Sequence, residues 1–259
     1  MRICIPIIAE TEETALRKMS GPLPGDHFLE ILFELRADRM SEIRLERILK
    51  EKKKKIIVTN RRREEGGGFQ GPEKERITFL LKAVELGADY VDIEASTDPG
   101  LLAEVKTAIA GRGFKTLLIV SSHDFGNTPS ERSLKKKLEQ GVALGPDIVK
   151  IVSRADTQED NLKSLGLIPY ARKNGQKIIS FCLGEKGRMS RVMSLFLGAY
   201  LGFASLTKGE ESASGQLSLE EMITVLSTLS GSKGDIQGFR KGQAVPGPGR
   251  QTGPLGIMR

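Results

Sequence analysis

Lys150 stands inside Asp147-Ile148-Val149-Lys150-Ile151-Val152, a run that is otherwise β-branched and apolar after its aspartate. An amine held in such a run suits attack on a substrate carbonyl, because imine formation turns that carbonyl into an electron sink. Upstream, Val120-Ser121-Ser122-His123-Asp124-Phe125 carries one of only two histidines in the chain. Imidazole changes charge close to neutral pH, which makes His123 the candidate proton carrier for the same reaction. An ordinary lysine titrates near 10.4, so burial and cationic neighbours are expected around Lys150 to free its amine. The other histidine, His27 in Gly25-Asp26-His27-Phe28, reads as a loop residue without a role.

These residues must be positioned by elements, and the chain alternates short β-branched runs with longer segments of helical period. Eight strands are predicted, over 3–8, 28–36, 55–60, 90–94, 116–122, 147–152, 177–183 and 200–205. Helices are predicted over 10–18, 41–52, 72–86, 99–110, 130–144, 157–173, 188–199 and 219–229. Pro72, Pro99 and Pro129 fit helix starts, and Gly87, Gly111, Gly145 and Gly175 fit helix ends. Eight βα units in about 230 residues predict an α/β fold, the (β/α)8 TIM barrel, as a single domain. Beyond Ser230 the composition turns to Gly, Pro, Gln and Arg, and residues 231–259 are expected to form a loose tail.

In such a barrel, alternate strand residues face inward and chemistry gathers where the strands end. Parity then groups Glu34 with Arg36, Thr59 with Arg61, Asp92 with Glu94, Ser121 with His123, and Lys150 with Ile148 and Val152. Five successive strands thus place polar or charged groups on one face, which is costly unless the groups partner one another in a site. Taken singly, Glu34 with Arg36 also fits an ordinary ion pair, and Asp92 with Glu94 a structural network of the barrel. Glu65-Gly66-Gly67-Gly68-Phe69-Gln70-Gly71 lacks the spacing of a phosphate loop and reads as a tight turn or mobile lid that brings Glu65 into the pocket.

Composition narrows the function classes. The 259 residues are 39% hydrophobic and 28% charged, enough for a packed core, and no apolar run nears the roughly 20 residues that span a bilayer. The chain opens Met1-Arg2-Ile3-Cys4-Ile5-Pro6, strand-like without a signal-peptide layout, so a cytoplasmic enzyme without membrane attachment is expected. Cys4 and Cys182 lie far apart in apolar runs and are read as core residues, which leaves neither a disulfide framework nor a cysteine metal site. A net charge of +7 could suggest nucleic acid, yet aromatics are only 5%, tryptophan is absent and no nucleic-acid-binding motif is found; an anionic small substrate explains the excess equally well. Of the basic clusters, Lys52 to Lys55 and Lys135 to Lys137 read as solvated faces; Arg61 to Arg63, directly after a strand, reads as functional.

The set Glu34-Leu-Arg36-Ala-Asp38, Thr59-Asn-Arg61 with Glu65-Gly-Gly67, Asp92-Ile-Glu94, Ser121-Ser-His123-Asp-Phe125, Asp147-Ile-Val-Lys150, Gly187-Arg-Met-Ser-Arg191 and Ser212-Ala-Ser-Gly-Gln216 resembles the type I 3-dehydroquinate dehydratases over about residues 1–230. The resemblance implies a (β/α)8 barrel and a hydro-lyase of the shikimate pathway that needs neither metal nor cofactor. It implies that Lys150 forms an imine with the C3 ketone of 3-dehydroquinate. His123 would take a C2 proton, and the C1 hydroxyl would leave as water with help from the same histidine. Glu65 would orient His123; Glu34, Arg36 and Arg61 would contact substrate hydroxyls; Arg191 would clamp the carboxylate; Ser212 and Gln216 would belong to a closing loop. It also implies a homodimer. Two features depart from the family pattern: Ser214, where members often carry proline, and the long tail.

A Schiff-base class I aldolase on a TIM barrel uses the same lysine logic, but it would need a phosphate site near strands seven and eight. That region offers Arg191, Ser212 and Gln216 instead of a glycine-rich loop. A nucleic-acid-binding protein on an inactive barrel is the remaining alternative, against which Lys150 and His123 both stand.

Overall fold

The computed structural model describes residues 1–25, 29–40, 44–111 and 115–231. The strands are β1 (Arg2–Ile7), β2 (Glu30–Arg36), β3 (Ile56–Thr59), β4 (Tyr90–Glu94), β5 (Leu117–His123), β6 (Ile148–Arg154), β7 (Lys177–Leu183) and β8 (Gly202–Phe203). The helices following them are α1 (Glu12–Ser20), α2 (Leu45–Glu51), α3 (Glu73–Glu85), α4 (Pro99–Ala110), α5 (Glu131–Ala143), α6 (Asp160–Lys173), α7 (Arg188–Phe196) and α8 (Leu219–Leu229). Every strand pairing is parallel and the ladder runs β7-β6-β5-β4-β3-β2-β1-β8. This is the predicted (β/α)8 barrel.

The closing seam is thin. The eighth strand, expected over 200–205, shrinks to two residues, pairing Ile3 with Gly202 and Cys4 with Phe203. Across the seam to β7, the Tyr200 amide donates to Ile178 O at 2.7 Å. Gly202 packs closely under Leu195 of α7, where an added Cβ would meet the leucine side chain at 3.1–3.3 Å.

Two apolar layers follow from strand parity. Leu32, Ile57, Ile119, Ile148, Val152, Ile179 and Phe181 fill the barrel with Cys4, Tyr90 and Phe203. Their alternate neighbours, such as Phe33, Leu35, Val58, Val91 and Val120, face the helices instead. Helix faces answer them with residues at three- and four-residue spacing, as in Ile77, Leu80 and Val84 of α3. Some helix starts carry side-chain caps. Pro99 opens α4 behind the Asp98 cap, and Ser218 with Glu221 forms a reciprocal capping box on α8.

Both cysteines are buried and free. Among the described residues, no helix is long and apolar enough to cross a membrane. The tail from residue 232, His27, and the predicted starts at Phe28 and Ser41 lie outside the described residues.

Candidate active site

The polar residues grouped by parity converge at the carboxyl ends of the strands. A cleft with an empty volume of about 560 Å³ is lined there by Glu34, Arg36, Arg61, Glu65, His123, Lys150, Arg191, Ser212 and Gln216, that is, by every candidate site residue read from the sequence. Phe125, Phe181 and Phe203 supply apolar walls.

Lys150 is buried, with 5% of its surface exposed, because it occupies an inward position midway along β6. Its row of the sheet is set by backbone register, Glu94 beside Ser121 beside Lys150. Nζ lies 3.0 Å from Asp92 Oδ2, 3.7 Å from Glu34 Oε1 and 4.7 Å from the centre of the Phe203 ring. The cationic surroundings expected for this amine are therefore not found at first contact: its nearest charged groups are carboxylates. The physical reason is that Arg61 reaches the same spot only through Asp92, whose Oδ2 it meets at 2.7 Å.

Asp92 is the hub. Burial alone would protonate it, but Arg61 and Lys150 outweigh burial and hold its carboxyl far below the usual carboxylate range. Ser121 completes the arrangement, accepting from Arg61 Nη1 and donating to Asp92 Oδ1, each at 2.6 Å. Thr59 donates to Glu34 Oε1 at 2.8 Å. Glu34 does not pair with Arg36. That arginine instead forks onto Asp38 at 2.9 and 2.7 Å, and the pair holds Asp38 in its ionised form despite burial.

His123 ends β5, and its Nδ1 lies 3.0 Å from Glu65 Oε2, which also accepts the His123 backbone N–H at 3.1 Å. An ionised carboxylate can only accept, so Nδ1 carries the proton and the lone pair belongs to Nε2. Burial, then the positive charges of Arg61 and Lys150, pushes the imidazole well below its ordinary 6.5, so the ring is neutral at pH 7. Burial also raises Glu65 above the ordinary carboxylate value. The Phe125 ring stacks on the imidazole at 6.3 Å between centres.

Glu65 is delivered by a tight turn rather than a lid. Gly66 adopts φ +77°, and a Cβ on Gly67 would lie 1.9 Å from the Arg61 carbonyl oxygen, so the triple glycine threads where no side chain fits. Gly68 N donates to Asp38 Oδ2 at 2.9 Å, tying the turn to the Arg36 pair.

On the opposite wall Arg191, from α7, is 2% exposed and lies over the Phe181 ring at 4.8 Å. Nη2 donates to Ser214 O at 3.1 Å, while the buried Nε makes no hydrogen bond. Burial pulls its pKa down to about 10. Charge without a carboxylate partner, aimed into a cleft, marks an anion subsite. Gln216 Oε1 accepts from the Ser212 amide at 2.7 Å and hydroxyl at 3.0 Å, which folds the loop after β8 over the cleft.

Sequence reasoning placed Asp92 with Glu94 on the inward face but gave it no role in the site. Arg76 went unread, because an arginine between glutamates on a helix looks like a surface ion pair. Phe181 and Phe203 look like any core aromatic.

The chain matches the model of the type I 3-dehydroquinase family over residues 3–233. It is 35% identical over 223 residues to the 3-dehydroquinate dehydratase of Methanocaldococcus jannaschii, covering 85% of this chain and 95% of that one. Against the 3-dehydroquinate dehydratase of Methanococcus maripaludis strain C6, identity is 34% over 229 residues, covering 88% and 99%. Among solved structures, the 3-dehydroquinate dehydratase of Geobacillus kaustophilus superposes with a TM-score of 0.75 at 25% identity, covering 90% of this chain and 92% of that one.

Proposed function

Since the chain belongs to the type I 3-dehydroquinase family, it is a hydro-lyase that dehydrates 3-dehydroquinate in the shikimate pathway, and we propose that it does so through an imine at Lys150. The observation that carries this reading is the buried Lys150 amine in one cleft with a neutral His123.

In the proposed sequence, the neutral amine adds to the C3 carbonyl and the carbinolamine loses water to give an iminium. Asp92 and Glu34, at 3.0 and 3.7 Å, then have a clear purpose. The iminium nitrogen keeps the positive charge, so carboxylates that match the ammonium also match the intermediate. Nε2 of His123 removes a C2 proton, and the electron pair passes into the C–N unit to form an enamine. Return of that pair expels the C1 hydroxyl, which takes the proton from His123 and leaves as water. Hydrolysis of the product imine frees Lys150 and 3-dehydroshikimate, so one water departs overall.

Arg191 is assigned the substrate carboxylate, supported by its unpaired Nε and its single lid contact. Glu65 is assigned the orientation of His123; Arg36 and Arg61, with Glu34, are assigned contact with the ring hydroxyls; Ser212 and Gln216 are assigned to loop closure. A cytoplasmic setting is supported by the two free, buried cysteines. A homodimer is assigned from family resemblance, and sedimentation of the intact chain tests it.

Two variants separate the roles. Lys150→Ala should lose turnover and all borohydride-trapped adduct, whereas His123→Ala should still trap ligand and lose most elimination. Full turnover by His123→Ala would remove the histidine from the reaction.

A further inference from the structure

Arg76 lies on α3, outside the barrel wall, and does not line the cleft. It has no exposed surface. Its neighbours on the buried side of α3 are Ile77 and Leu80, and an apolar residue could fill such a position without burying a charge. A buried guanidinium there calls for a reason beyond packing.

Its partners supply one. Nη1 meets Glu94 Oε2 at 2.5 Å and donates to Asn60 O at 3.1 Å, while Nη2 donates to Thr97 Oγ1 at 3.0 Å. Nε and Nη2 grip Glu73 at 2.9 and 2.7 Å. The second oxygen of Glu94 lies 3.3 Å from Arg61 Nη1 and accepts the Arg62 amide at 3.1 Å. Arg61 meets Asp92, and Asp92 meets Lys150. Charge therefore alternates without a gap from Lys150 through Asp92, Arg61 and Glu94 to Arg76.

We infer that Arg76 is a positioning residue for the dehydration, acting through Glu94 to hold Arg61 on Asp92. This rests on the reading of Lys150 as the nucleophile. Glu94 is fully buried and must keep a cation. With Arg76 present it has two, and Arg61 is free to give Nη2 to Asp92 and Nη1 to Ser121. With Arg76 gone, Glu94 draws Arg61 toward itself and away from Asp92. Asp92 is then left with Lys150 as its near cation and closes on it, holding the amine away from the carbonyl. Arg76 itself does not line the cleft, and Glu34, Arg36 and Arg191 keep their places when it is lost, so substrate binding is affected less than the chemical step.

The test compares Arg76→Met and Arg76→Lys with wild type, measuring kcat, KM, melting temperature and the rate of borohydride trapping per folded enzyme. Arg76→Met is expected to lower kcat on the order of 10-fold, as outer partners of metal-ligating groups do when lost, with KM changing less than kcat and trapping slowed in parallel. Arg76→Lys restores part of the loss, since it returns a charge to Glu94. A folded Arg76→Met enzyme with wild-type kcat and trapping overturns the inference, as does a loss confined to KM. Should Arg76→Met fail to fold, Glu73→Gln loosens Arg76 from its more exposed side. A drop in kcat of about threefold is then expected, and unchanged kcat overturns the inference. Failure of the wild type itself to trap ligand at Lys150 would sink the underlying imine reading instead.

Discussion

Replacing Asp92 by Asn removes one charge and keeps the shape. Its Oδ2 is shared by Arg61 at 2.7 Å and Lys150 at 3.0 Å, all three groups being at most 5% exposed. At an effective dielectric near 20, each contact is a gross attraction of about 5–6 kcal/mol. Much of that is offset, because the carboxylate no longer has to be dehydrated and Glu34 and Glu94 remain nearby. Breaking a buried pair from one side costs a net of about 3–5 kcal/mol. In a domain of this size 1 kcal/mol moves the melting temperature by about 2–4 °C, so Asp92→Asn should melt about 6–20 °C below wild type. It should also slow trapping, since the iminium loses its counter-charge. Thermal melts at pH 7 and timed borohydride quenches read both quantities. Melting within about 2 °C of wild type, with trapping at the wild-type rate, would refute the hub role of Asp92.

Other predictions follow from the same geometry. Burial, Arg61 and Lys150 disfavour the imidazolium of His123, so its protonation needs more acid than an ordinary histidine, and the acid limb that disappears from kcat/KM when His123 is replaced by Ala should lie below pH 6.5. An acid limb centred above 7 would contradict this. Arg191→Lys keeps charge but loses the fork, and kcat/KM should fall roughly 10–100-fold, mainly through KM, from one charge-assisted bond of about 1.5–3 kcal/mol; steady-state kinetics with unchanged KM would count against the clamp. Gly67→Ala puts a Cβ into the Arg61 carbonyl, so the turn must shift and carry Glu65 off His123. Both kcat and melting temperature should drop, and an unaltered enzyme would mean that the turn has slack.

The barrel was legible because two periods alternate along the chain, and the inward face because polar residues recur at the same parity on five strands. Glu34, His123 and Lys150 each have an ordinary reading alone, and they could be singled out because they recur at one parity on neighbouring strands. The resemblance then supplied Arg191, which strand parity cannot reach, being on a helix. Three things were hidden for physical reasons. The electrostatic surroundings of Lys150 depend on which of several nearby charges touches it, and a sequence gives no distances between Asp92, Arg61 and the amine. Arg76 becomes buried only through the packing of α3 against β3 and β4, while its local neighbours Glu73 and Glu75 mimic a surface helix. The two-residue β8 depends on which backbone groups meet across the closing seam, a matter of register between elements that residue types alone do not fix.

The central claim is covalent capture of a ketone by one buried amine. Incubating the wild-type enzyme with 3-dehydroquinate and borohydride, then measuring the intact mass and mapping the modified peptide, tests it directly. The account predicts one reduced ligand per chain, attached at Lys150. An adduct at another lysine, or continued turnover with no adduct at all, would contradict it.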